Sequence, residues 1–239
     1  MVITGLTEDA MEKLQRCQEL FTNIYHESSV INTIVQTRDA VELDENFLKI
    51  YRRTYMPKDW FNRIDHYPDL VFRQFGADLA FSEKKYILEQ ILENENIERI
   101  ERDREIQFAD LRNVLLRLAE RQRDTPIVLF LPIRYYTQFH IDWIQENPRQ
   151  FTIRYPRGAT ILGHNLRIFW SNKYMPFDEF VFIDASFGLW ISKPSFENRL
   201  QVTIDDSDRE DQLDFLAFTT LKFNIINENR IIRLKGTNV

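Results

Sequence analysis

Residues 127–131 read Ile-Val-Leu-Phe-Leu, an unbroken apolar run with a proline on either side, Pro126 and Pro132. Successive side chains on a strand point to opposite faces of a sheet, so a strand apolar at every position has to be covered on both faces. The run is too short to cross a membrane, which takes about 20 apolar residues. It is therefore read as a central strand of a layered domain. The segment before it, Phe108–Asp124, carries Phe108, Leu111, Leu115 and Leu118 at helical spacing, and Asp124-Thr125-Pro126 marks its end. A second aromatic helix is expected over Arg134–Pro148, with Tyr136, Phe139, Trp143 and Ile144 on one face.

Around this centre the pattern is mixed. Residues 4–28 predict a helix, with Thr7 as a cap, Glu8 and Asp9 in the first turn, and a stripe of Leu14, Cys17, Leu20 or Phe21, and Ile24. From Val30 to Phe75 periodicity loosens, and the reading is an extended arm or hairpin followed by short irregular pieces. Tyr51, Tyr55, Trp60, Phe61, Tyr67, Phe72 and Phe75 crowd that stretch. Rings at this density need a surface to pack on, either the chain's own core or another subunit. A long charged helix is predicted from about Leu79 to Ile100, with Leu88, Ile91, Leu92 and Ile100 on a narrow apolar face and a solvated face of ion pairs. After Pro148 the chain reads as β-rich, in short strands, and closes with a long hairpin. Its arms are Asn198–Asp205 and Leu213–Asn227, joined by the acidic Asp205–Asp211, and Leu221, Phe223 and Ile225 alternate with Lys222 and Asn224.

Composition excludes several classes. A net charge of −6 argues against a general binder of phosphate backbones. The single cysteine, Cys17, forbids an internal disulfide and a zinc site of several thiolates. The first residues lack a basic segment before an apolar one, so no secretory signal is expected, and no membrane association either. His140, Asp142 and Asn147 match the H-x-D-x-x-x-x-N spacing of a kinase catalytic loop, but no glycine-rich loop precedes them, and Ala185 and Ser186 separate Asp184 from the Phe187-Gly188 pair. The acidic 206–217 stretch fails as a calcium loop: the glycine position holds Asp211, and the bidentate glutamate position holds Ala217. His26, His66, His140 and His164 have no ligand spacing. No catalytic residue, metal site or cofactor site is expected, and the chain is read as a non-enzyme.

The order of elements carries a resemblance. Phe108–Pro148 is similar to a helix, central strand and following helix; Ala159–Ile191 is similar to a Leu-Gly turn leading through a Met-Pro turn into further strands; Leu213–Leu234 is similar to a pair of closing strands. Together they resemble the major capsid proteins of tailed phages and the related encapsulin shell proteins, the Hong Kong phage type of capsid fold. The likeness covers about two thirds of the chain.

That resemblance implies an α+β fold with a long spine helix, a mixed α/β axial domain, and a peripheral domain closed by a long β-hairpin. The implied organisation is an N-terminal helix or arm at 1–29, an extended arm or loop at 30–75, and peripheral-domain residues with the spine helix at 76–104. The axial domain would occupy 105–198, and the closing hairpin 199–239. The implied function is that of a self-assembling building block, forming pentamers and hexamers of an icosahedral viral head. An encapsulin-type shell around a cargo enzyme is the alternative; an α+β enzyme or an adaptor module is a more distant one. Its partner would be further copies of itself, with nucleic acid or cargo enclosed and not specifically recognised, in a virion or a particle in the host cytoplasm. Arg52, Arg53, Tyr55, Trp60 and Phe61 are the candidate subunit contacts.

Overall fold

The computed structural model describes residues 8–29, 36–40, 48–63, 66–121, 127–135, 138, 152–154, 158–161, 164–170, 175–176, 178–184, 189–194, 200–205, 212–225 and 227–237. Packing divides the chain into two compact units. One holds Met1–Asn32, Thr37–Tyr86 and Ile191–Lys222; the other holds Thr33–Gln36, Ile87–Trp190 and Phe223–Val239. The fold class is α+β.

The second unit is built around the apolar run. Strand β4 (Ile127–Leu131) lies at the middle of a seven-stranded sheet with β3 (Glu98–Glu101), β5 (Thr152–Arg154), β6 (Gly158–Ile161), β7 (His164–Trp170), β8 (Glu179–Asp184) and β12 (Ile231–Lys235), in the order β3-β12-β8-β4-β7-β6-β5. β4 runs parallel to β7 and antiparallel to β8, and β12 runs parallel to β3 and antiparallel to β8. Every residue of β4 and β8 is buried. Ile127, Leu129, Leu131, Phe180 and Phe182 share a core with Leu111, Val114, Leu115 and Leu118 of helix α4 (Phe108–Arg121). Val128, Phe130, Val181 and Ile183 point the other way and are equally buried, as the uninterrupted apolar run demands. Each such side chain contributes about 1.5–3 kcal/mol on leaving water.

Most of the helix expected over Arg134–Pro148 lies outside the described residues; helical turn is described at 133–135. The long charged helix differs from expectation at both ends. Helix α3 runs from Tyr67 to Glu93, 27 residues and about 40 Å at 1.5 Å per residue, and not from Leu79 to Ile100. Pro68 fits its first turn, where a missing N–H is harmless, and Asp69 lies in the same turn. At the other end Glu98–Glu101 pairs with β12 and becomes β3: backbone pairing with a buried strand overrides a sequence rich in helix formers. The stretch expected as loose, 30–75, holds β1 (Gln36–Ala40), a ten-residue strand β2 (Leu48–Pro57), helix α2 (Lys58–Arg63) and the start of α3.

The first unit contains helix α1 (Glu8–Ser28), α2, the first part of α3, and strands of a second sheet. That sheet has five strands, with β9 (Leu189–Pro194), β10 (Leu200–Asp205) and β11 (Gln212–Ile225) in the order β1-β9-β11-β10, and β2 paired to β11. β10 and β11 form the expected hairpin, Asp205 opposite Asp214 and Leu200 opposite Thr219. β2 runs antiparallel along the other edge of β11, from Pro57 opposite Gln212 to Leu48 opposite Leu221. Leu213, Phe215, Ala217 and Thr219 of β11 alternate inward. Phe215 meets Phe72 of α3, ring centroids 4.8 Å apart, and Phe61 of α2 at 6.2 Å, while Phe21 of α1 meets Phe75 at 5.1 Å.

A buried polar knot ties α1 to α3. The Glu83 carboxylate is fully buried; it accepts hydrogen bonds from the Tyr25 hydroxyl at 2.5 Å and from Ser29 Oγ at 2.6 Å. Burial, then the neighbouring Glu83 charge, push the Tyr25 hydroxyl pKa well above its ordinary value. Burial and Asp69 likewise push the Cys17 thiol up to about 12, so this cysteine is an inert core residue.

Candidate assembly surface

Strand β2 places the charged and aromatic residues of the candidate surface. Ile50 and Met56, on one face of the strand, are buried, 8% and 0% exposed. Tyr51, Arg53 and Tyr55 alternate with them and stand outward; Tyr51 is 63% exposed and Tyr55 65%. Arg53 makes an ion pair and a hydrogen bond with Asp214 of β11, which lies opposite Tyr55 in register. Among the described pairings β2 is bonded on one edge, by β11.

Helices α2 and α3 continue the surface. Trp60 is 47% exposed and packs edge-on against Tyr67, ring centroids 5.2 Å apart. Leu70, one turn into α3, is 65% exposed. Between β2 and the first turns of α3 lies a groove of about 340 Å³, lined by Arg52, Arg53 and Thr54 on the strand and by Leu70, Gln74 and Asp78 among the helix residues. Gln74 donates to Asp78 at 2.7 Å, along the helix. Arg52 is exposed, lies opposite Ala217, and has no hydrogen bond or ion pair among the described residues.

Four of the five residues picked from the sequence, Arg52, Arg53, Tyr55 and Trp60, are exposed; Arg53 and Tyr55 share one face of β2 with Tyr51, and Arg52 lies on the opposite face, the one that carries Ile50 and Met56. Phe61 is not exposed, and this is a correction. It is fully buried against Phe215, and its carbonyl accepts from Lys13 Nζ of α1 at 3.1 Å. Adjacent residues of a helix point about 100° apart, and on α2 that turn leaves Trp60 exposed and carries Phe61 into the core. Sequence reasoning missed Tyr51, Tyr67 and Leu70 as members of the surface. Tyr51 and Tyr55 are spaced four apart on a strand and so share a face, a signal that depends on the bounds of β2. Among the described residues no group of three or more His, Cys, Asp or Glu converges as a metal site, and no helix is long and apolar enough to cross a membrane.

No protein-family model matches the chain, and no curated protein sequence matches it. Solved structures do. A virus-like particle from Pyrococcus furiosus superposes with a TM-score of 0.62 at 12% identity, over 92% of this chain and 98% of that one. The capsid of an empty GTA particle gives 0.58 at 10% identity, over 88% and 90%. The procapsid of satellite phage P4, in a structure that includes its size determination protein, gives 0.51 at 11% identity, over 91% and 98%. At 10–12% identity the likeness is one of fold, and it extends over almost the whole of each chain: this protein has the Hong Kong phage type of capsid fold.

Proposed function

We infer that the chain is a structural shell subunit, a major capsid protein whose copies form pentamers and hexamers of an icosahedral head, and that it acts without catalysis or cofactor. One observation carries this reading: the fold likeness to the Pyrococcus furiosus virus-like particle covers 92% of this chain and 98% of the other, with little left on either side to serve a different purpose. On this reading the first unit takes the peripheral role, with α3 as the spine, and the second unit the axial role. The exposed side chains of Tyr51, Arg52, Arg53, Tyr55 and Trp60, on the two faces of β2 and on α2, then contact neighbouring subunits, the setting in which aromatic and arginine side chains are concentrated. Rings of five or six need head-to-tail contacts between two different patches, and each subunit held by several neighbours gains stability from contacts that are individually modest.

The test is imaging of the purified protein by negative-stain electron microscopy. Closed particles of uniform diameter are the expected result. A protein that stays a monomer on size exclusion up to high concentration, with no particles, overturns the reading. The contents of the particles separate a viral head, which holds nucleic acid, from a cargo-enclosing shell, which holds a second protein.

A further inference from the structure

Helix α3 ends in charge of the unfavourable sign. The C-terminal end of a helix is the negative pole of its dipole and favours cations. The last turn of α3 holds no basic residue, Glu93 closes it, and Glu95 follows two residues on. Beside that end, within the second unit, lies a cleft of about 420 Å³ lined by Gln90, Glu93 and Asn94 of α3, by Phe223 and Ile225 of β11, and by Glu228 of the short 3-10 turn Glu228–Arg230. Its described lining offers two carboxylates and two apolar side chains, and no cation. Arg233 donates to the Leu92 carbonyl at 2.8 Å, but it is paired with Glu179 at 2.6 Å, and Arg230 is paired with Asp184 at 3.1 Å, so each of these arginines is matched by a carboxylate of its own. The first unit carries the opposite combination. Trp60 and Arg63 are three apart on α2 and so are neighbours on its surface; both are exposed, Arg63 with 79% of its side chain. The carboxylate described beside Arg63 is that of Asp59, 3.9 Å away and 75% exposed, and a pair so exposed is worth little.

We propose that α2 of one copy docks at the C-terminal end of α3 in a second copy, with Arg63 between the Glu93 and Glu228 carboxylates and Trp60 against Phe223 and Ile225. An indole beside a guanidinium meets apolar side chains beside carboxylates, and tryptophan and arginine are the residues that anchor interfaces most often. This rests on the shell reading and names both members of one contact. The two patches differ and belong to different units, so the contact is head-to-tail, the kind that closes rings; a patch that mated with its own copy would generate a two-fold dimer instead. Complementary charge of this kind fixes orientation and speeds encounter more than it adds affinity, so its reversal is a sharper probe than its removal.

The experiment uses the full chain in four forms: unaltered, Arg63→Glu, Glu93→Lys with Glu228→Lys, and all three changes together. Particle yield is read by sedimentation and electron microscopy, and folding of the subunit by circular dichroism. Each reversal alone is expected to lower particle yield about tenfold or more, and the combination to restore it. Reversed chains that assemble like the unaltered one overturn the proposal, as does a combination that recovers nothing while its subunits are folded. Glu93→Gln with Glu228→Gln replaces the lysine pair where that pair unfolds the subunit; its yield should fall too, and an unchanged yield overturns the proposal. Arg63→Glu particles that form normally with magnesium and fall apart on its chelation assign the cleft to a metal ion and also overturn it. An unaltered chain that forms no particles defeats the shell reading itself, on which the contact depends. As a second measurement, Arg63→Cys with Glu228→Cys, in a chain whose native Cys17 is buried, should give disulfide-linked multimers on oxidation of particles. A linked product confined to the monomer, or no linked product, overturns the proposal.

Discussion

Gly76 lies in the interior of α3, where glycine ordinarily weakens a helix. Its place is set by α1: a Cβ built there would stand 2.7 Å from the Phe21 carbonyl oxygen and 3.3 Å from the Tyr25 nitrogen, both backbone atoms. Gly76→Ala should therefore push the two helices apart and destabilise the subunit by about 1–3 kcal/mol, read as a lower denaturant midpoint; an unchanged or raised midpoint contradicts the close packing. Asp110 shows a different residue-scale device. It is 3% exposed near the start of α4, and it accepts from Arg104 at 2.7 and 2.9 Å, from Arg102 at 3.1 Å and from the Gln107 N–H at 3.0 Å. Burial alone would raise its pKa, but these donors outweigh burial and hold it below the ordinary 3.8. A carboxyl lowered in the folded state contributes stability above its unfolded pKa, and that contribution is lost as pH falls through the folded value. Asp110→Asn should cost about 1–3 kcal/mol at neutral pH, and its stability should fall less than the native protein's between pH 5 and pH 2. Parallel pH profiles for the two proteins would count against the assignment.

At the scale of elements, the six-residue helix α2 separates two roles in adjacent rings. Phe61→Ala empties a core site beside Phe215 and should cost about 3–5 kcal/mol, while Trp60→Ala, half exposed, should change stability by no more than about 1 kcal/mol. Equal losses in urea titrations would show that Trp60 is a core residue after all. The elements themselves were unevenly legible. The unbroken apolar run Ile127–Leu131 announces a strand covered on both faces, and the amphipathic 108–121 and the alternation in 213–225 announce their environments through periods of 3.6 and 2; a strand, a helix and a strand form there. The long helix begins at Tyr67, twelve residues before the expected Leu79, and α1 packs across it at Gly76, a contact no local pattern reveals. Glu98–Glu101 carries a helical pattern in sequence, and its pairing with β12, more than 130 residues further along, is revealed by no local pattern. The same limit applies to the surface. Composition showed arginine and aromatic residues crowded near 51–61, but which of them face outward depends on the register of β2 against β11.

At the scale of the whole molecule, the consequence of a contact surface is assembly. Arg53→Ala together with Trp60→Ala removes an exposed ion pair, worth about 0.2–1 kcal/mol, and one half-exposed ring, so the subunit should remain folded. Under the proposed shell function every subunit repeats the loss at each of its neighbours, so particle formation should fall far more than subunit stability does. Circular dichroism and electron microscopy on the same preparation check both halves; normal particles from the double variant would remove this surface from the interface.

Strand β12 gives the fold a timing rule. Ile231–Lys235 is inserted between β3 and β8, a hundred or more residues after the first of them, so the larger sheet stays split until that late segment has left the ribosome. A chain cut short by a nonsense codon or a stalled ribosome before Ile231 would leave two strands facing a gap. Such a product lacks the strand that joins β3 to β8, so it should leave the seven-stranded sheet in two parts.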